Sequence, residues 1–232
     1  MKYRHFLFDL DDTLLDFKAS ERLSFARTLT NLGVDIENTT LFADYQRENS
    51  QLWSEFEKGE ISKDLLKVER FRRIFSLHRI DIDPHKASNL YLECLPETVV
   101  LVDGAVQICE ALAEIGEVGI ITNGIEYVQA QRVANSGLAD WLSFVATSEA
   151  CGFAKPDARI FEFSASKFRS FKKTEAIIVG DRLDADILGA NLYGINSCWF
   201  NAGGAANDSD IIAPTYEAAT LLDVFTQLSA RS

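Results

Sequence analysis

This chain is poor in the features that mark membrane, secreted, zinc-binding or nucleic-acid-binding proteins. No run of about 18 uncharged apolar residues occurs, so no membrane-spanning helix is expected. The start is basic (Lys2, Arg4, His5), but its apolar stretch stops at Asp9, too short for a secretory signal, and the cytoplasm is the expected compartment. Cysteine is sparse and scattered: Cys94, Cys109, Cys151 and Cys198 form no CxxC pair. Two disulfides are open on arithmetic, but thiols so dispersed read as ordinary core residues. The three histidines make neither HExxH nor any other zinc spacing. Basic charge is in deficit, with 23 Lys and Arg against 35 Asp and Glu for a net charge of -12, and no Lys/Arg stripe reverses that locally. Nucleic-acid polymers and anionic membranes are therefore repelled and not expected as partners. A small phosphate ester, which feels only its own pocket, is not excluded. Internal repeats and low-complexity segments are absent.

What is present is enough apolar material, 47% of 232 residues, to bury one large domain or a core with a second lobe. The sequence changes character along its length. Residues 17–95 read as helical throughout: Leu65, Val68, Phe71 and Phe75 recur at helical spacing, as do Ala87, Leu90, Tyr91 and Cys94. Breaks near Gly33, Gly59 and Asp81 predict about four helices, with Ser62 capping the third and Asp83-Pro84 opening the fourth. From residue 97 short apolar runs alternate with helical stretches. The runs are Val118-Gly119-Ile120-Ile121, Phe144-Val145-Ala146, Ala176-Ile177-Ile178-Val179 and, more weakly, Ser197-Cys198-Trp199-Phe200; helices fit over 106–115 and 184–192. Continuous apolar strands joined by helical crossovers predict a parallel sheet covered on both faces, and the opening strand Tyr3 to Phe8 belongs with it. The expected fold is α/β, a Rossmann-like parallel sheet core (1–16 and 97–232) interrupted after its first strand by a helical cap (17–96).

In such sheets ligands bind beyond the carboxyl ends of the strands. The first strand ends in Asp9-Leu10-Asp11-Asp12-Thr13 and the second in Thr122-Asn123-Gly124. Lys155-Pro156-Asp157 follows the third, and the fourth ends in Gly180-Asp181, with Asp184 and Asp186 beyond. Each fragment alone has a bland reading. Asp caps helices and opens turns, Thr-Asn-Gly is turn chemistry, Lys-Pro-Asp starts a helix with Pro156 near N1, and Gly-Asp precedes a helix by ordinary capping. Their convergence on one sheet edge, in this order, argues for a shared site. Burying Asp9 and Asp11 at the mouth of a core strand is costly unless a cation or a chemical role compensates.

In order and spacing, Asp9-Leu10-Asp11-Asp12-Thr13, Thr122-Asn123, Lys155-Pro156 and Gly180-Asp181 with Asp186 resemble the four signature motifs of the haloacid dehalogenase superfamily. The helical insert resembles that superfamily's C1-type cap. The stretches Ser148-Glu149, Ala154-Lys155-Pro156-Asp157, Ile160-Phe161 and Trp199-Phe200-Asn201 are similar to its bacterial pyrimidine 5′-nucleotidase subgroup.

The resemblance implies a phosphatase. In it Asp9 attacks phosphorus to form an aspartyl-phosphate, while Asp11 protonates the leaving oxygen and then activates water. Repulsion between the neighbouring acids is expected to help keep the proton that Asp11 needs. The resemblance further implies Mg2+ held by Asp9, the Asp11 backbone carbonyl and Asp181, with Asp186 acting through a water or from behind; manganese and cobalt suit the same oxygen donors. Thr122 and Asn123 are expected to donate to phosphoryl oxygens, and Lys155 to offset the carboxylates. Asp184 reads as a helix-start acid.

Asp11 disfavours dehalogenation, since a halide needs no acid and dehalogenases of the family lack an Asp there. A phosphonatase would take a cap lysine, and Lys18 and Lys58 are better explained as surface charge. Of the cap aromatics Phe17, Phe25, Phe42, Tyr45, Trp53, Phe56, Phe71 and Phe75, most are expected in the bundle core. Phe17 is placed to lie against a nucleobase or sugar, beside a hinge at Asp16-Phe17 and Pro96-Glu97. The expected substrate is a small phosphate ester, with a pyrimidine nucleoside 5′-monophosphate preferred. A phosphatase or mutase of sugar or organic-acid phosphates, and an idle binding or scaffold protein on the same fold, stay open.

Overall fold

A computed structural model describes residues 2–34, 40–209 and 211–229. Six strands form one all-parallel sheet: β1 (His5–Phe8), β2 (Glu117–Thr122), β3 (Phe144–Thr147), β4 (Ala176–Gly180), β5 (Asn196–Phe200) and β6 (Tyr216–Ala218). Their order is β3-β2-β1-β4-β5-β6, so β1 lies inside the sheet, flanked by β2 and β4. Phe6, Leu7 and Phe8 and all five residues of β4 are fully buried, as continuous apolar runs require when helices cover both faces. Phe8 pairs with Ile120 on one side and Val179 on the other. Asp9, Thr122 and Asp181 therefore leave the sheet at one edge, where the strand order reverses about β1. Crevices form at such reversals.

The chain divides into two compact units, Met1–Phe17 with Val100–Ser232, and Lys18–Val99. The helices in the first part of the sequence are α1 (Phe17–Asn31), α2 (Leu41–Glu57), α3 (Lys63–His78) and α4 (Pro84–Cys94). Ser62 caps α3 by accepting from the Leu65 amide at 3.2 Å, and Asp83 caps α4 by accepting from His85 at 2.9 Å, with Pro84 in its first turn. Arg79 ends α3 in a left-handed conformation (φ 55°) that sequence alone does not suggest. Phe25, Tyr45, Phe71 and Tyr91, one from each helix, interlock in the bundle core, with Phe25 and Tyr45 ring centres 4.5 Å apart and Tyr45 and Tyr91 5.8 Å apart. Trp53 and Phe56 are only half-buried and are covered by the Lys63 ammonium.

In the other unit the helices are α5 (Ala105–Ala113), α6 (Glu126–Ser136), the single turn α7 (Ser148–Cys151), α8 (Ala158–Ala165), α9 (Leu188–Tyr193) and α10 (Leu221–Ser229). The bland reading of Pro156 as a helix start does not hold: Pro156 follows a cis Lys155–Pro156 peptide, and α8 begins at Ala158 under an Asp157 cap. The helix expected over 184–192 is present, its first part π-helical (Leu183–Ile187) and running into α9. All four cysteines are unpaired, and burial pushes the Cys109 and Cys198 thiols up to about 12, so they behave as inert core groups. Among the described residues no helix is long and apolar enough to cross a membrane.

Candidate active site

The site begins where β1 stops. Asp9 keeps one more sheet contact, its amide donating to the Val179 carbonyl at 2.9 Å, and its carboxylate is buried. Lys155 meets it there. Its ammonium donates to Asp9 Oδ1 at 2.5 Å, Asp186 Oδ1 at 2.7 Å and the Ile121 carbonyl at 2.9 Å, which uses all three hydrogens. The loop carrying Lys155 is clamped by Asn123, whose Oδ1 accepts from the Lys155 amide at 2.8 Å while its Nδ2 donates to the Lys155 carbonyl at 3.1 Å. Asn123 thereby positions Lys155.

Asp181 and Asp186 close the other side. The Trp199 indole donates to the Asp181 carbonyl at 2.8 Å, and Asp186 Oδ2 accepts from the Arg182 amide at 3.1 Å across the π-turn. Gly180 is required: a Cβ there would lie 2.3 Å from the Asp186 carboxyl carbon. Carboxylate oxygens of Asp9, Asp181 and Asp186 all lie within 4.8 Å of one another. Burial drives the Asp9 carboxyl well above the usual range, opposed by Lys155 and reinforced by Asp186 and Asp181. Burial together with Asp186 and Asp12 pushes Asp181 up to about 7. Burial alone would lower Lys155, but Asp186 and Asp9 outweigh it and hold the ammonium charged.

With all three acids ionised, one ammonium would leave two negative charges in a buried space, so burial favours protons on Asp9 and Asp181 unless a cation takes their place. A divalent cation taking oxygen ligands at about 2.0–2.6 Å fits both the charge and the spacing. Asp184 takes no part; its carboxylate pairs with Arg182 at 2.7 Å.

Asp11 points elsewhere. Its Oδ2 accepts from Gln129 Nε2 at 2.7 Å and its Oδ1 from Arg132 Nη1, which also donates to Gln129 Oε1 at 2.8 Å. Thr122 Oγ1 accepts from Gln129 Nε2 and from the Gly124 amide, both at 3.1 Å. Phe17 lies over the Arg132 guanidinium, 5.4 Å from its ring centre, a partner the sequence did not suggest. The turn leading to Asp11's neighbour is tight: Asp12 adopts φ 58° and its Oδ1 accepts from the Phe17 amide at 3.0 Å. Gln129 and Arg132 were not singled out from sequence. The available signal was the inward face of α6, where Val128, Gln129, Arg132, Val133 and Ser136 recur at helical spacing and two of the five are strongly polar. Glu149 fixes that helix by accepting from the Glu126 amide at 2.8 Å.

Comparison with known proteins identifies the family of the chain. The chain is 35% identical over 227 residues to the pyrimidine 5′-nucleotidase PynA of Streptococcus pneumoniae, covering 97% of this chain and 94% of that protein. It is 30% identical to the pyrimidine 5′-nucleotidase YjjG of Escherichia coli, covering 95% and 96%. The HAD-hydrolase YfnB of Bacillus subtilis is 33% identical over 97% of this chain and 94% of its own length. A crystal structure of YfnB bound to magnesium superposes with a TM-score of 0.91, covering 99% of this chain and 100% of that one. Residues 3–194 match the haloacid dehalogenase-like hydrolase family, and the chain belongs to that family.

Proposed function

We propose that this hydrolase is a Mg2+-dependent phosphomonoesterase with a preference for pyrimidine nucleoside 5′-monophosphates, working through an aspartyl-phosphate on Asp9. The observation that carries this reading is the convergence of Asp9, Asp181 and Asp186, oxygens within 4.8 Å, around the charged Lys155. Asp9, Asp181, Asp186 and the Asp11 backbone carbonyl would hold the ion. A bound divalent cation supplies positive charge to the attacking carboxylate and to the phosphoryl oxygens.

The remaining steps belong to the chain's own residues. An Asp9 oxygen attacks phosphorus as the bond to the ester oxygen breaks, and Asp11 delivers a proton to that departing oxygen. Water then attacks the phosphoryl group on Asp9 while Asp11 takes its proton, releasing phosphate and restoring Asp9. Lys155 opposes the effect of burial on Asp9, and the Thr122 hydroxyl donates to a phosphoryl oxygen. Asp11 separates this chemistry from dehalogenation, where the departing halide needs no proton.

The nucleotide preference rests on the likeness to PynA and YjjG over nearly the whole chain. Released phosphate measured across UMP, dTMP, ribose 5-phosphate and glycerol phosphate tests it. The pyrimidine nucleotides are expected to be turned over at least about tenfold more efficiently, a discrimination of ~1.4 kcal/mol. Flat nucleotide activity beside strong turnover of a sugar phosphate would overturn the preference while leaving the phosphatase.

A further inference from the structure

The hydrogen bonds around Thr122 have only one consistent assignment of protons. Arg132 is buried and its guanidinium can only donate, and Nη1 spends its two hydrogens on Asp11 Oδ1 and Gln129 Oε1. Gln129 must therefore present its carbonyl oxygen to Arg132. That fixes the amide nitrogen on the opposite side, where its two hydrogens go to Asp11 Oδ2 and Thr122 Oγ1. The Thr122 oxygen accepts this bond and a second from the Gly124 amide, so both its lone pairs are filled. Among the described residues the Thr122 hydroxyl donates to nothing.

The arrangement is built rather than incidental. A Cβ at residue 124 would fall 2.2 Å from Gln129 Nε2, so glycine at the strand end is what admits the amide. Gln129 is itself buried, out of reach of competing water.

We infer that Arg132 and Gln129 are positioning residues that set the polarity of the phosphoryl site. Arg132 orients the Gln129 amide, and the amide fills the Thr122 oxygen so that the hydroxyl is a donor only. The one free hydrogen of Thr122 is then committed to an anionic oxygen. Without Gln129 the hydroxyl is free to turn and donate inward, toward Asp11. The same two residues also donate to the Asp11 carboxyl oxygens, so the acid–base residue and the phosphoryl donor share one hydrogen-bond network. This inference rests on the phosphatase reading and extends it to two residues that touch neither substrate nor ion.

A double-mutant cycle on the full chain with p-nitrophenyl phosphate and Mg2+ tests it, alongside calorimetric binding of inorganic phosphate. Gln129→Met is expected to lower kcat/KM and phosphate affinity at least about tenfold when residue 122 is Thr or Ser, and less than about threefold in a Thr122→Val background. Near-UV circular dichroism checks folding. Should Gln129→Met fail to fold, Gln129→Asn, which withdraws the amide but keeps it polar, replaces it in the same cycle. Losses of equal size with Thr122 intact and in the Thr122→Val background would show that Gln129 does not act through the hydroxyl, and the inference would fall alone. A wild-type protein that neither hydrolyses the ester nor binds phosphate would overturn the inference together with the phosphatase reading.

Discussion

Both compact units bury charge, and the balance of that charge differs. At the strand ends of the sheet unit, Asp9, Asp181 and Asp186 face a single ammonium, Lys155. In the helical unit, Glu21 on α1 accepts from Asn49 at 2.9 Å and Gln46 at 3.3 Å. Asn49 in turn accepts from Arg70 at 3.5 Å, and the Arg70 guanidinium lies 4.5 Å from the Tyr91 ring centre. An acid and a base are linked there through the Asn49 amide, beside the aromatic faces of the bundle core. A network that ties helices together is self-neutral, whereas a cradle for a cation is left short of positive charge. The excess, rather than burial itself, distinguishes the two.

The sharpest way to break this comparison is to remove the same kind of group from each unit. Asp9→Asn is expected to reduce hydrolysis by at least ~10⁴-fold, the scale seen when a covalent nucleophile is lost, with an unchanged near-UV spectrum. Substantial phosphate release by this variant would end the aspartyl-phosphate mechanism. Next in size, Arg70→Leu removes a buried guanidinium that donates to Asn49 and lies over Tyr91, and is expected to destabilise the fold by about 1.5–3 kcal/mol. Thermal melting reads it, and a melting temperature within a degree of wild type would erase the distinction drawn between the units.

The same contrast explains what could be read from the sequence. Strands β1, β2, β3 and β4 announce themselves as unbroken apolar runs because both sheet faces are covered, and α3 and α4 through their period and their Ser62 and Asp83 caps. Strand β6 gave no signal, since Tyr216–Ala218 is three residues long and only Ala218 is buried. The structure brings Asp9, Lys155 and the pair Asp181 and Asp186 together from three separate segments, each flagged by lying after an apolar strand. Asn123 was legible as a position but not as a clamp, because its partner, the Lys155 peptide, lies 32 residues away. Gln129 and Arg132 fell outside the strand-end rule altogether. They reach the site from a helix face, and a single Gln or Arg on such a face is ordinarily solvated. Only the burial of that face of α6, with Val128 and Val133 beside them, turns them inward.

The smallest expected effect concerns protons competing with the cation. Asp181 titrates at about 7 in the folded chain against about 3.9 in an unfolded one. Between those values the folded state holds a proton that the unfolded state has lost. The associated stability is thus fully present below about pH 4 and disappears as pH rises through 7. Without added metal, the melting temperature is therefore expected to decline from pH 5.5 to pH 8. Mg2+ should act in the opposite sense, because ligands must shed protons to bind it; saturation at a hundred times Kd contributes about 2.7 kcal/mol. The shift produced by Mg2+ should accordingly be larger at pH 8 than at pH 5.5. Asp181→Asn removes one of the excess charges, so it should flatten the metal-free decline without destabilising the fold and shrink the response to Mg2+. A metal-induced shift equal at both pH values, or an Asp181→Asn variant that melts well below wild type without metal, would mean that the three acids are balanced by the protein itself, as the charges of the helical unit are.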